Sequence, residues 1–197
     1  MARKRVLYFF AFASPFAALA DFRIDQFAES GDFELDPIPL VPPPSPQPTG
    51  MAAQLREYKL EYLREDAERC AHKLHIPWVS SPPGPVEGRD AVAGYYYARQ
   101  RGQGRNFRNA VFRSRWCEGK DIDNHAVLAE CAEDCRFSGN EFLQAVRSRL
   151  YHADIDANLE RCLEHRVFGV PTFVFNGKRF WGNDRIDFLI DEVKSAE

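Results

Sequence analysis

A C-x-x-C cysteine pair is missing from this chain. Its five cysteines, Cys70, Cys117, Cys131, Cys135 and Cys162, are odd in number and form no C-x-x-C. That excludes a dithiol redox motif and argues against a disulfide framework. Cys131 and Cys135 lie four apart on one expected helix face, with no His or Cys nearby to complete a zinc set. Buried free thiols and no metal site are therefore expected. A strong charge bias is also lacking, since the net charge is -3 over 197 residues, and this points to no particular partner. No apolar run is long enough to span a membrane. Acids are absent from Ala91 to Cys117, a window that holds Arg99, Arg101, Arg105, Arg108, Arg113 and Arg115. No nucleic-acid motif accompanies these arginines. A solvated helix face is their expected role, with one or two free to grip a substrate carboxylate in bidentate fashion.

What is present suffices for a core: 45% of the residues are hydrophobic, enough for one domain or one domain with a large insertion. The basic Met1–Arg5 segment, the apolar residues 6–19 and Ala18-Leu19-Ala20 have the outline of a signal peptide. Ser14-Pro15 breaks that run into a strand-like and a helix-like half, so the segment reads as part of the folded chain. Unpaired cysteines disfavour an oxidising compartment, and a cytoplasmic location is expected.

Val6-Leu7-Tyr8-Phe9-Phe10-Ala11-Phe12 fits a central strand covered on both faces. Ser14 is a preferred helix N-cap and Pro15 a preferred first helical residue. Phe16, Leu19, Phe22, Arg23 and Phe27 continue at helical spacing, to a stop at Gly31. Residues 33–40 alternate and carry Pro37 and Pro39, which suits an edge strand. Residues 42–50 are a proline-rich loop, either linker or lid. Helices are expected over 51–75, 89–101, 105–117, 124–135, 140–149 and 153–166. A turn at Pro171 precedes a strand over 172–176, the hairpin signal Asn176-Gly177 and a return strand through Arg179-Phe180-Trp181. A last helix then carries Ile186, Leu189, Ile190 and Val193 on one face.

This order, β-α-β, a helical stretch, then β-β-α with a proline before its first strand, defines an α/β thioredoxin-like fold with a large all-α insertion domain. Residues 1–48 and 167–197 would form the thioredoxin-like domain and 49–166 the insertion. In that arrangement the Ser14-Pro15 turn and the Val170-Pro171 turn lie side by side. The second is a place where a cis peptide bond can be built in.

Several stretches resemble the 2-hydroxychromene-2-carboxylate isomerases and the related kappa-class glutathione transferases. They are Phe9–Phe16, Lys59–Asp66 with Ile76-Pro77, Val111–Ile122 with its Trp116-Cys117-Glu118-Gly119, Val167–Phe173 and Phe180–Phe188. The Trp181-Gly182-Asn183-Asp184-Arg185 ending favours the isomerase branch. The resemblance implies a homodimer, with glutathione bound in the thioredoxin-like half and Ser14 opposite its sulfur. It implies that Val170 and Pro171 hold the cysteinyl part of glutathione, and that Asn183, Asp184 and Arg185 hold its γ-glutamyl end. The reaction implied is the reversible conversion of 2-hydroxychromene-2-carboxylate to trans-o-hydroxybenzylidenepyruvate. The small aromatic substrate would meet Phe16, Arg113 and Trp116.

Ser14 and Ala17 stand where oxidoreductases of this fold carry C-x-x-C, so disulfide exchange is not available. A serine hydroxyl at a helix N-terminus can instead donate to a thiolate, which suits reversible addition by a borrowed nucleophile. The family's Gly-rich segment with a Lys and an Asn after the second strand is here Val41–Gly50, with neither residue. Gln47, Thr49 and Gln54 do not replace the charge. A glutathione-independent member recruited to aromatic natural-product biosynthesis, a kappa-like transferase and a catalytically silent binding protein remain as alternatives.

Overall fold

The computed structural model describes residues 4–29, 33–41 and 47–196. The expected helix stop at Gly31 and most of the proline-rich loop fall outside them. Strand β1 (Arg5–Phe10) leads through a tight turn, with the Ser14 N–H on the Ala11 carbonyl at 3.0 Å, into helix α1 (Pro15–Glu29) and strand β2 (Glu34–Pro39). Six helices follow: α2 (Met51–Lys73), α3 (Arg89–Gln100), α4 (Gly104–Trp116), α5 (His125–Asp134), α6 (Gly139–Arg147) and α7 (His152–Glu164). Strands β3 (Thr172–Phe175) and β4 (Lys178–Trp181), a 3-10 turn over Asn183–Arg185 and helix α8 (Ile186–Ser195) complete the chain.

The sheet order is β2-β1-β3-β4. β1 runs parallel to β2 and antiparallel to β3, with Phe9 opposite Thr172. The proline-bearing β2 is an edge strand, as expected of a strand with missing donors. β1 is internal, and Tyr8, Phe9 and Phe10 are wholly buried. Asn176 (φ 48°) and Gly177 (φ 76°) make the two left-handed residues of a tight hairpin between β3 and β4. Helix α6 begins at Gly139, not Asn140, because Ser138 caps it by accepting from the Glu141 N–H.

One expectation is corrected in part. Of the arginines in the acid-free window, Arg99, Arg101, Arg105 and Arg113 are exposed, but Arg108 and Arg115 are buried. Arg108 is buried and pairs with Asp21 (2.5 Å) and Asp25 (2.7 Å) of α1. Arg105 also reaches Asp25 (2.8 Å), and Arg99 reaches Asp36 of β2 (2.9 Å), which Arg5 and Arg161 contact as well. Their acids lie in α1 and β2, so these pairs fasten α3, α4 and α7 to the sheet half. In helix α2 the helically spaced apolar residues divide between two faces. Ala67 and Ala71 are buried, but Met51, Leu55, Tyr58 and Tyr62 stand on the opposite face and are more than half exposed.

Candidate active site

The register that sets Phe9 against Thr172 brings the β1–α1 turn and the Pro171 turn to the same end of two paired strands. The Val170–Pro171 peptide is cis. Among the described residues, neither the N–H nor the carbonyl of Val170 makes a hydrogen bond. Around it the turn is held firmly. The Thr172 hydroxyl donates to the Gly169 carbonyl at 2.6 Å, and the Gly182 N–H donates to the Pro171 carbonyl at 2.9 Å. Gly182 is left-handed at φ 115°, and a Cβ there would strike the Asp184 carboxylate, so the position needs glycine.

Ser14 caps α1. Its Oγ accepts from the Ala17 N–H at 3.2 Å, an arrangement that occupies a lone pair and leaves the hydroxyl proton free to be donated. The residue is half-buried. A proton donor at the positive end of a 15-residue helix is a site for an anion. Four of the chain's five thiols are disfavoured as thiolates by burial. Burial pushes Cys135 and Cys162 up to about 11, and raises Cys117 and Cys131 as well.

The segment after β4 is tied to α1: Arg23 donates to the Asn183 carbonyl (2.8 Å) and to Asp187 (3.0 Å). Asn183 is buried, whereas Asp184 and Arg185 are exposed and pair with each other at 3.3 Å. The register and these contacts draw Ser14, Val170, Pro171 and Asn183–Arg185 toward one end of the sheet.

Beside the Ser14 turn lies a cavity of about 440 Å³. Ala13 and Pro15, the neighbours of Ser14, form part of its wall, with Leu60, Leu63 and Arg64 of α2, Trp78, Ser80, Ser81, Pro82 and Gly84 of the following loop, and Arg115 and Trp116 at the end of α4. Trp116 donates its indole N–H to the Phe12 carbonyl at 3.0 Å and stacks on Trp78, with centroids 5.2 Å apart and planes 14° apart. The Val79 N–H donates to the Trp116 carbonyl at 2.8 Å and docks the loop on α4.

Of the expected substrate contacts, Trp116 lines this cavity. Phe16 does not; it packs half-buried among Leu19, Ala67 and Ala71. Arg113 points elsewhere, pairing with Asp134 (3.0 Å) and Glu118 (3.5 Å) on the exposed side of α4. Arg115 takes the place at the cavity because residues two apart on a helix face nearly opposite ways. Trp78 and Arg64 escaped the sequence reading. The signal for Trp78 is its place just after Pro77, where a large aromatic cannot continue the helix and must fold onto a neighbour.

Thioredoxin topology with serine at the helix cap, set against a cis-proline turn, defines the class. The family model of the DSBA-like thioredoxin domain matches residues 5–194, and the chain belongs to this family. Among curated proteins it is similar to the 2-hydroxychromene-2-carboxylate isomerases of Pseudomonas putida, 29% identical over 92% of this chain and 90% of the relative, and of Pseudomonas sp. (strain C18), 28% identical over 96% and 90%. Among solved structures it superposes on a 2-hydroxychromene-2-carboxylate isomerase with a TM-score of 0.82, 26% identity, and coverage of 96% of this chain and 94% of that one. The resemblance read from the sequence holds over nearly the whole chain, and these named relatives are enzymes of the isomerase class.

Proposed function

We propose that this protein is a glutathione-dependent isomerase of a small, planar, carboxylate-bearing aromatic compound of the hydroxychromene type. The observation that carries the reading is Ser14. It caps α1, keeps a hydroxyl proton to donate, and replaces the nucleophilic cysteine of a disulfide oxidoreductase beside a cavity walled by two stacked tryptophans. Relatives with the same fold over nearly their whole length carry the isomerase name.

The residues fit a thiol tripeptide. Ser14 donates to the sulfur anion, and the N-terminus of α1 lowers the energy of the charged form. The free N–H and carbonyl of Val170 pair with an extended peptide backbone, as a strand edge would. Asn183, Asp184 and Arg185 hold the γ-glutamyl end. Glutathione, when bound, supplies a thiolate that adds reversibly to a conjugated enone and so permits rotation about the former double bond. Trp116 and Trp78 hold the aromatic ring, and Phe16 supports the wall from behind.

We further propose a homodimer formed through α2. Its stripe of Met51, Leu55, Tyr58 and Tyr62 turns away from the core, and a stripe of that kind on a long helix is apolar surface that a second copy would cover. Calorimetric titration with glutathione tests the binding half of the reading. Saturable heat at millimolar ligand, reduced in Ser14→Ala, is the expected result. No heat at that concentration removes the glutathione step and leaves an isomerase that works without it. That second reading rests on the missing Lys and Asn in Val41–Gly50.

A further inference from the structure

Arg115 is a buried cation that makes no ion pair among the described residues. Its side chain is 5% exposed. Its two terminal nitrogens reach only the Pro83 and Gly84 carbonyls, at 3.4 and 3.3 Å, and its Nε has no partner among the described residues. Among the described residues no carboxylate touches it. The two acids whose fields reach it, Asp121 and Asp123, are engaged elsewhere. Asp123 accepts from the N–H groups of Glu87 (2.8 Å) and Gly88 (2.9 Å), and Asp121 accepts from the Asp123 N–H. Arg108, equally buried, has two carboxylates in contact. A buried guanidinium without a counter-ion is costly. Here burial lowers its pKa without bringing it near neutrality.

Arg115 also lines the cavity beside the Ser14 turn, with its guanidinium over the Trp116 ring at 5.2 Å. Arg64 adds a second, exposed cation to the same wall. The wall thus offers a planar forked donor beside a flat aromatic face, and about 440 Å³ of space, within the range of small-molecule sites. We infer that Arg115 is the substrate-carboxylate receptor of this enzyme, a specificity-determining residue that selects planar aromatic carboxylates by supplying the counter-charge the protein leaves missing. This rests on the isomerase reading for the identity of the reaction, but not for the binding itself. Displaced toward a bound carboxylate, the guanidinium exchanges two long carbonyl contacts for charge-assisted bonds. The ring lies along the tryptophan pair and its reactive end is directed to the Ser14 turn.

The test is calorimetric or tryptophan-fluorescence titration of the full chain with chromone-2-carboxylate, a stable aromatic carboxylate, and with chromone-2-carboxamide, its neutral twin. Wild type is expected to bind the carboxylate roughly 10- to 100-fold more tightly, the span expected of hydrogen bonds to a charged group. Arg115→Gln removes the preference, Arg115→Lys restores part of it, and Ser14→Ala leaves it intact. Glutathione affinity stays within about twofold in Arg115→Gln, which separates a substrate receptor from a glutathione contact. Equal affinity of wild type for acid and amide overturns the inference and requires no variant to fold. So does a preference that survives Arg115→Gln, or a variant that loses glutathione and keeps the carboxylate. If the preference is Arg115-dependent and the chain turns over no hydroxychromene carboxylate, the receptor stands and the isomerase reading falls.

Discussion

Trp116 donates its indole N–H to the Phe12 carbonyl at 3.0 Å, two residues ahead of Ser14. One bond thereby joins the end of α4, the tryptophan wall of the cavity and the β1–α1 turn that carries Ser14. Trp116→Phe keeps an aromatic ring but leaves that buried carbonyl without this donor. The expected loss is about 1–3 kcal/mol in denaturant unfolding, with a larger fall in kcat than in glutathione affinity, because the turn is displaced from the substrate wall. A variant with unchanged kcat would show that the bond is structural alone.

Arg108 with Asp21 and Asp25 is the buried ionic junction between α4 and α1. Arg108→Ala leaves two carboxylates buried without this cation and is expected to lower stability by about 3–5 kcal/mol, read from urea unfolding. Substitution of the exposed Arg113 is expected to cost at most about 1 kcal/mol.

The same junction sets a pH dependence. Burial raises Asp21 to about 7 against the pull of Arg108, with repulsion from Asp25 adding to the rise. The folded protein therefore holds a proton that the unfolded chain releases near its ordinary carboxylate value. The stability from this group is complete below about pH 4 and is lost as pH rises toward 7. Thermal unfolding from pH 5 to 7.5 should show that decline. Asp21→Asn, which keeps an acceptor for Arg108, should flatten it. An equal slope in both proteins would refute the assignment.

The α2 stripe predicts oligomeric state. Sedimentation velocity should find a dimer for wild type and a monomer for the double variant Leu55→Glu, Tyr62→Glu, with helicity retained because both positions are exposed in the monomer. A wild type that sediments as a monomer at high micromolar concentration contradicts the dimer.

The element order was readable because each transition carries its own chemistry: a continuous apolar run for β1, Ser14-Pro15 for the start of α1, Asn176-Gly177 for the hairpin. The pairing of the arginines was not, since the Arg99–Asp36 and Arg105–Asp25 contacts join residues far apart in sequence, and periodicity reports only near neighbours on one element.

 The separations are 63 residues for Arg99 with Asp36 and 80 for Arg105 with Asp25. Arg113 and Arg115 were indistinguishable by composition. On α4 they lie roughly 200° apart, so one meets Asp134 on the exposed side and the other enters the cavity. The outward stripe of α2 has the same helical spacing as a core face, and spacing alone does not say which face the rest of the chain covers.

Ser14 carries the central claim, and turnover of 2-hydroxychromene-2-carboxylate followed by absorbance tests it most directly, in wild type and Ser14→Ala, with and without glutathione. Loss of the cap bond to Ala17 costs about 1 kcal/mol of stability, too little to unfold a typical domain, so the variant remains assayable. The account predicts conversion by wild type only with glutathione present, and a fall of at least about tenfold in kcat for Ser14→Ala, the loss of one charge-assisted hydrogen bond. Wild-type conversion at the same rate without glutathione, or an undiminished kcat in Ser14→Ala, would contradict it.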